Sequence, residues 1–116
     1  MNQETTIFDK ILTKEIPADI VYENDAVLGF KDINPQAPVH VLFIPKTRIN
    51  TINDIDDSQA ELMGQLYLAA RDYAKQIGED EKGYRVVMNC NQNGGQEVYH
   101  VHLHFLAGRQ MKWPPG

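Results

Sequence analysis

Three histidines alternate with other residues, mostly apolar, over residues 99–105, and this run constrains the fold more than any other part of the chain. His100, His102 and His104 are three of only four histidines in the 116-residue sequence. Because successive side chains of a β-strand point to opposite faces, this spacing places the three imidazoles on one face. A helix turns about 100° per residue and would scatter them. The run therefore predicts a strand that carries a row of titratable side chains.

Three interpretations of this histidine row are open. The histidines are ordinary polar side chains of a half-exposed strand, or they bind a metal, since histidine is a common zinc ligand. In the third interpretation they catalyse a reaction, with one imidazole attacking while its neighbours orient it and move protons. In a strand the outer two histidines lie about 13 Å apart, and Zn–N bonds of about 2 Å leave little room for all three to share an ion. His40 would then have to supply a ligand.

An amide-rich loop upstream of the row favours catalysis. Residues 89–97 read Asn-Cys-Asn-Gln-Asn-Gly-Gly-Gln-Glu, which is turn-forming chemistry around Gly94 and Gly95. Such a turn can aim backbone N–H groups at an anion. The glycine pair alone would indicate only a hairpin loop. Together with the histidine row and the distant His40, it predicts an anion-binding site.

Several short runs along the chain resemble one known family. Residues 100–106 match the signature of the histidine-triad (HIT) family, His-x-His-x-His with apolar residues between the histidines. Further matches follow the family's order at residues 8–11, 15–17, 32–38 and 108–110. The chain is therefore similar to the Hint branch, the histidine triad nucleotide-binding proteins, over nearly its whole length.

The resemblance implies a fold, an assembly and an activity. The implied fold is α+β and HIT-like, with a five-stranded antiparallel sheet, one short N-terminal helix and one long helix. Hint proteins are typically homodimers. The implied activity is hydrolysis of purine nucleoside phosphoramidates through a nucleotidyl-histidine intermediate, which releases an amine and a nucleoside monophosphate. The expected partners are thus the purine nucleotide substrate and a second copy of the chain, and no cofactor is expected.

The resemblance also implies roles for individual residues. His102 would be the nucleophile, with its other ring nitrogen fixed by a backbone carbonyl that selects the tautomer. His100 and His40 would orient the row and relay protons, and Asp32 would hold the ribose hydroxyls. His104 and the amide-rich loop would hold the phosphate, while apolar residues would contact the nucleobase. The full nucleotide-binding set implied in this way is Asp32, Ile33, Asn89, Gly95, Gln96, Glu97, His102, His104, Ile7, Phe8, Ile11, Phe30 and Leu42.

The sequence departs from the family pattern at two places. Many Hint proteins bind zinc through a Cys-x-x-Cys pair where this chain has Thr6 and Asp9, so we expect no structural zinc. Animal members have a serine at the position of Glu97, where a carboxylate should repel a phosphate unless it points away. Similar bacterial members carry glutamate as well, and its backbone N–H can still donate.

Two other functions compete with the phosphoramidate hydrolase. One is a nucleotide-binding interaction module with little turnover, and the other is a metal-dependent hydrolase. The binding module would need the same ligand contacts, and only His102 as a nucleophile separates it from the enzyme. Activity in the presence of a chelator separates the metal-dependent enzyme.

Composition excludes some classes of partner and location. The length predicts one domain, residues 1–116. A net charge of −5 disfavours non-specific nucleic-acid binding. The lone Cys90 suits a reducing compartment. With no signal-peptide pattern and no apolar run of membrane-spanning length, the chain is expected to be cytoplasmic and to bind no membrane.

Local patterns predict the order of the elements. Thr6 caps a short helix that ends near residues 16–17, because proline disfavours helix in the residue before it. A capping-box pattern at residues 58–61 opens a long helix that Gly78 stops. The result is an antiparallel sheet covered by helices on one face. Residues 1–4 are expected to be loose, and the tail 107–116 to pack on a partner subunit. The predicted strands are 20–23, 26–32, 39–45, 84–89 and 98–106.

Overall fold

Five antiparallel strands form one sheet in the order β1-β2-β3-β5-β4. The computed structural model describes residues 5–116, so the expectation of a loose N-terminus at residues 1–4 lies outside the described residues. The α+β class, the five strands, the short helix and the long helix are confirmed. The elements are α1 Ile7–Leu12, β1 Ile20–Glu23, β2 Val27–Lys31, β3 Val39–Pro45, α2 Ala60–Ile77, β4 Tyr84–Val87, α3 Asn91–Gly94 and β5 Leu103–Ala107.

The two main helices cover opposite faces of the sheet. The long helix α2 packs against the face that carries Val27 and Phe43. The short helix α1 packs through Phe8 against the face that carries Leu28 and Phe30. The prediction of helices on one face was therefore wrong. Consecutive residues of β2 are buried, as are those of β3, and strands buried on both sides require a cover on both sides.

Strand register brings His40 to the histidine row. Leu42 of β3 pairs with His104 of β5, and His40 pairs with Leu106. His40 is therefore a diagonal neighbour of His104 on the same face of the antiparallel pair. Leu42 belongs to the core layer under α1, so this face is the one that α1 covers.

The last strand is shorter than the histidine pattern predicted. It begins at Leu103 rather than at residue 98, so only His104 of the row lies in the ladder. The preceding residues bond to the segment after β3 instead, where the Val101 N–H donates to the Ile49 carbonyl at 2.7 Å. β4 likewise ends at Val87 rather than at residue 89, because the chain turns into α3.

The predicted boundaries of α1 and α2 are only partly confirmed. Thr6 caps α1 in a capping box with Asp9, as expected, but the helix ends at Leu12, before Lys14 takes a φ of 65°. For α2, Gly78 stops the helix at a φ of 77°, as predicted. The capping box lies on Asp56 rather than on residues 58–61, because a 3-10 turn precedes the helix.

No helix within residues 5–116 is both long enough and apolar enough to cross a membrane.

Candidate active site

The position of the proton on His102 is fixed by the backbone. Its Nδ1 lies 2.7 Å from the carbonyl oxygen of His100. A carbonyl only accepts, so Nδ1 carries the hydrogen and Nε2 is left with a lone pair. Burial lowers the pKa of His102, and the more distant carboxylates of Asp32 and Glu97 only partly oppose this effect. His102 is therefore a neutral imidazole with a basic Nε2 at neutral pH.

A second hydrogen-bond chain fixes the protons on His40 and His104. The Gln36 backbone N–H donates to His40 Nδ1 at 3.0 Å, so the hydrogen of neutral His40 is on Nε2. That Nε2 lies 2.9 Å from His104 Nδ1, which therefore accepts. The remaining nitrogen of His104, Nε2, must carry a hydrogen. Burial lowers the pKa of His40 and brings that of His104 to about 4, so both rings are neutral at pH 7.

His100 is buried behind the row and cannot touch a ligand. Its side chain is fully buried, and its Nε2–H donates to the Pro45 carbonyl at 2.8 Å. Its Nδ1 has no hydrogen-bond partner among the described residues and lies 4.0 Å from Asp9 Oδ1. Burial lowers the pKa of His100, so the ring is neutral. Of the three histidines of the row, only His102 and His104 remain available for chemistry.

Phe8 of α1 lies against the row. Its ring meets that of His102 edge-on at 5.1 Å and that of His100 at 5.8 Å. The rings of His102 and His104 are 5.0 Å apart. His102 and His104 thus lie side by side, as the spacing predicted, although His100 and His102 precede β5.

The amide-rich loop uses most of its polar groups internally. It forms the single turn α3, which ends at Gly95 with a φ of 80°. The Gly95 N–H donates to the Gln92 carbonyl, and the Gln96 N–H donates to that of Asn91. The Asn89 side chain donates to the Gly94 carbonyl at 2.6 Å.

Gln96 ties the loop to the rest of the site. Its buried side chain accepts from the Asn91 N–H and donates to the carbonyls of Asn50 and Val98. The next residue is different: within residues 5–116 the Glu97 N–H makes no hydrogen bond, and the Glu97 side chain is exposed. Glu97 therefore offers a free backbone donor at the end of this loop.

Asp32 lies beside the hydrogen-bond chain that joins Gln36, His40 and His104. Its Oδ1 accepts from the Asn34 N–H at 2.8 Å, as a loop-capping aspartate does. Its Oδ2 lies 3.5 Å from His40 Nε2. Asp32 is thus both a loop cap and a member of the site.

The apolar residues predicted to bind the nucleotide fall into two groups. Ile7 is 46% exposed and Ile33 is 94% exposed, so both can meet a ligand. The other four are buried in the core layer under α1, where they support the histidine row: Phe8, Ile11, Phe30 and Leu42.

Comparison with known proteins decides the family. The model of the HIT domain matches residues 13–111. The chain belongs to the HIT domain family. It is 50% identical over 108 residues to the purine nucleoside phosphoramidase of Escherichia coli K12, with 93% of this chain and 91% of that protein covered. It is 49% identical over 118 residues to the 14 kDa zinc-binding protein of Zea mays, covering all of this chain and 91% of the relative.

A solved HIT structure has the same fold. The crystal structure of a HIT family hydrolase from Legionella pneumophila Philadelphia 1 superposes with a TM-score of 0.94 at 53% identity. The match covers 97% of this chain and 100% of that one. The resemblance read from the sequence is therefore confirmed, and these relatives support a hydrolase activity for this HIT protein.

Within residues 5–116 of this HIT protein, one group of side chains could hold a metal ion. The ligand atoms of Asp32, His40 and His104 all lie within 4.8 Å of one another. An ion there would have to replace the hydrogen that His40 shares with His104. Among the described residues this group includes neither His100 nor His102, so the triad itself does not converge on an ion.

Sequence reasoning missed the groups that fix the imidazoles. The Gln36 N–H and the Pro45 carbonyl are backbone atoms, and no residue type in the sequence marks them. Arg48 was also missed: it pairs with Asp9 at 2.9 Å and donates from Nε to the Tyr99 carbonyl at 3.3 Å. The only available signal was a cation shortly after the buried strand β3, where Lys46 stands as well.

Proposed function

We propose that this HIT protein hydrolyses purine nucleoside phosphoramidates. The observation that supports the proposal is the hydrogen bond from His102 Nδ1 to the His100 carbonyl, which leaves Nε2 as a basic nitrogen next to a second imidazole. The name of the Escherichia coli relative supplies the substrate class.

In the first step, His102 Nε2 attacks phosphorus and the P–N bond breaks. The electron pair of that bond leaves with the amine, which takes up a proton. The product is a nucleotide bound to His102 through phosphorus, so that one difficult displacement becomes two easier ones. The His104 Nε2–H and the Glu97 N–H are the donors for the phosphoryl oxygens, where preorganised hydrogen bonds stabilise developing charge.

In the second step, water attacks the same phosphorus and His102 leaves with its lone pair restored. The water gives up one proton, which balances the proton that the amine took up in the first step. Nucleoside monophosphate is released, so the net reaction consumes one water per phosphoramidate. In this scheme Asp32 holds the ribose hydroxyls, and the exposed Ile7 and Ile33 contact the nucleobase. His40 keeps the hydrogen of His104 on the nitrogen that faces the substrate.

The test is to incubate the protein with adenosine 5′-phosphoramidate and to measure amine and adenosine monophosphate together. We expect equal amounts of both products. Binding of adenosine monophosphate without release of amine from any phosphoramidate would favour the interaction module instead.

We expect removal of metal to leave the activity unchanged. The hydrogen that His40 shares with His104 occupies the place of an ion, and no step above requires a Lewis acid. Two plant relatives are nevertheless named 14 kDa zinc-binding proteins. Turnover should therefore be measured in a chelator, with elemental analysis of the same sample. A loss of activity that zinc restores would contradict this prediction and favour a metal-dependent hydrolase.

We further propose a homodimer and a cytoplasmic location. Trp113 in the tail is 82% exposed, Tyr67 and Leu68 on α2 are exposed, and β4 is an edge strand. Apolar surface of this kind is typical of protein interfaces. The free thiol of Cys90 suits a reducing compartment.

Deleting residues 109–116 should weaken the dimer, because it removes Trp113 together with the half-buried Met111. The measurement is sedimentation velocity of the intact and shortened chains over a concentration series. Trp113→Ala serves as the smaller change and should have a partial effect. A monomer in the intact protein would rule out the assembly.

A further inference from the structure

We propose that the ion pair between Asp9 and Arg48 positions the nucleophile: it holds the backbone at residues 99–100 so that the His100 carbonyl keeps the hydrogen of His102 on Nδ1. The inference rests on the proposed function for the importance of His102, and on geometry alone for the positioning. Neither the motif nor the family name includes Arg48.

The carbonyl that orients His102 lies outside the sheet. β5 begins at Leu103, so His100 is not held in place by ladder hydrogen bonds. Instead, three contacts bind residues 99–101 to the end of β3 and to the segment that follows it. The His100 ring donates to the Pro45 carbonyl, Arg48 donates to the Tyr99 carbonyl, and the Val101 N–H donates to the Ile49 carbonyl.

Of these three contacts, only that of Arg48 involves a charged side chain. The ion pair with Asp9 sets the direction of this side chain. Its Nη1 lies 2.9 Å from Asp9 Oδ2, while its Nε donates to the Tyr99 carbonyl at 3.3 Å and to Asn50 Oδ1 at 3.0 Å. A planar guanidinium can make these contacts together, because its donors are fixed in a fork. The side chain thus joins α1 to the peptide that precedes His100.

Asp9 connects the same cluster to the other side of the His102 ring. Its Oδ2 also accepts from the Thr6 N–H at 2.9 Å and so closes the capping box of α1. The residue before it in that helix is Phe8, whose ring packs edge-on against His102. Its Oδ1 lies 4.0 Å from His100 Nδ1, the buried nitrogen without a hydrogen-bond partner. Asp9 therefore positions both the Phe8 ring, which packs against His102, and the His100 carbonyl, which accepts the hydrogen of His102.

The chemical consequence concerns the tautomer of His102. A neutral imidazole carries one hydrogen, on either Nδ1 or Nε2. Only the form with the hydrogen on Nδ1 can attack phosphorus through Nε2. If the His100 carbonyl moves away, the other form becomes populated and that fraction of the protein cannot react. Within residues 5–116, the hydrogen bonds and ion pairs of Asp9 and Arg48 described above go to none of the groups that the proposed function assigns to the nucleotide. Their loss should therefore lower kcat and leave KM nearly unchanged.

The experiment uses Arg48→Met, which keeps the length of the side chain and removes its charge and hydrogen bonds. The tautomer of His102 is read from long-range proton–nitrogen NMR spectra of the nitrogen-labelled protein, without substrate. We expect a single tautomer in wild type and a mixture in the variant. Since small displacements at a reacting centre cost up to about a hundredfold, kcat should fall by roughly ten- to hundredfold.

A neighbouring ion pair supplies the matched control. Lys46 bonds to Glu23 at 2.7 Å and lies two residues from Arg48 in the sequence. Lys46→Met removes the same charge and should leave tautomer, kcat and KM at wild-type values. Equal losses in this control would show a general effect of charge and overturn the proposal.

Two further variants cover the case in which Arg48→Met does not fold. Arg48→Lys keeps the pair with Asp9 but loses the fork, and should give a smaller loss of kcat and a partial mixture of tautomers. Asp9→Asn keeps an acceptor for the Thr6 N–H and should resemble Arg48→Met. Wild-type kcat, or a pure Nδ1–H tautomer, in the variants that fold would overturn the inference. Because the tautomer is measured without substrate, it decides the proposal even if wild type hydrolyses no phosphoramidate.

Discussion

His102→Ala should lose nearly all turnover while it still binds nucleoside monophosphate. The substitution removes Nε2, so the covalent path no longer exists. The phosphate keeps both donors assigned to it, the His104 Nε2–H and the Glu97 N–H. The affinity for adenosine monophosphate should therefore change by only about 1–2 kcal/mol, the scale of one lost hydrogen bond. Turnover is measured by amine release, and binding by calorimetry on the same preparation.

His102→Asn is the polar control for this variant. It keeps a polar side chain of smaller size but has no ring nitrogen at the position of Nε2, and should be equally inactive. In wild type, rapid quenching in mild alkali should trap the nucleotide on His102, where mass spectrometry after digestion can locate it. Alkali is required because phosphorus–imidazole bonds are labile in acid. Substantial turnover by His102→Ala would assign the nucleophile to another residue or to an activated water.

The part of the site that follows from side-chain alternation could be predicted from the sequence. Because side chains alternate along a strand, the spacing predicted that the histidines lie on one side of the chain. The resemblance predicted that His40 lies near them. The register confirms that neighbourhood, since Leu42 pairs with His104 and His40 lies one diagonal away. Such features depend on residue type and spacing, which a sequence displays directly.

The resemblance predicts that a backbone carbonyl fixes the hydrogen of His102. Neither the residue that supplies this carbonyl nor the hydrogens of His40 and His104 could be predicted, because backbone atoms set them. The hydrogen of His102 is fixed by the carbonyl of His100, and those of His40 and His104 by the N–H of Gln36. Any residue can supply these atoms, so no motif marks them. For the same reason, the sequence did not show which N–H groups of the amide-rich loop are free to bind a phosphate. Its sequence predicted several donors for a phosphate, yet the N–H groups of Gly95 and Gln96 close α3.

The boundary of β5 shows how a correct pattern can give a wrong element. Alternation continues from residue 99 to residue 105, but ladder bonding begins only at Leu103. Upstream of that point β4 has already turned into α3, so the backbone of residues 98–102 has no strand on that side and bonds to the segment after β3. An alternating sequence pattern can thus extend beyond the ladder, and the sequence does not show where the ladder begins.

Asp32→Asn should reduce the affinity for nucleoside monophosphate by roughly ten- to hundredfold, because charge-assisted hydrogen bonds are worth about 1.5–3 kcal/mol. The asparagine keeps Oδ1 as the acceptor for the Asn34 N–H, so the loop should stay in place. Its amide nitrogen would replace Oδ2, which lies 3.5 Å from His40 Nε2. Two donors would then face each other, and the ribose hydroxyls would lose their carboxylate.

Asp19→Asn is the matched control, because it removes the same charge from an exposed ion pair with Lys31 at 3.5 Å, outside the described site. Calorimetry with adenosine monophosphate should give wild-type affinity for Asp19→Asn and a weaker one for Asp32→Asn. Deoxyadenosine monophosphate provides a second measurement, because it lacks one ribose hydroxyl. The loss of affinity from wild type to Asp32→Asn should be smaller for this ligand than for adenosine monophosphate. An unchanged dissociation constant for Asp32→Asn would restrict Asp32 to its bond with Asn34 and require another residue to hold the ribose.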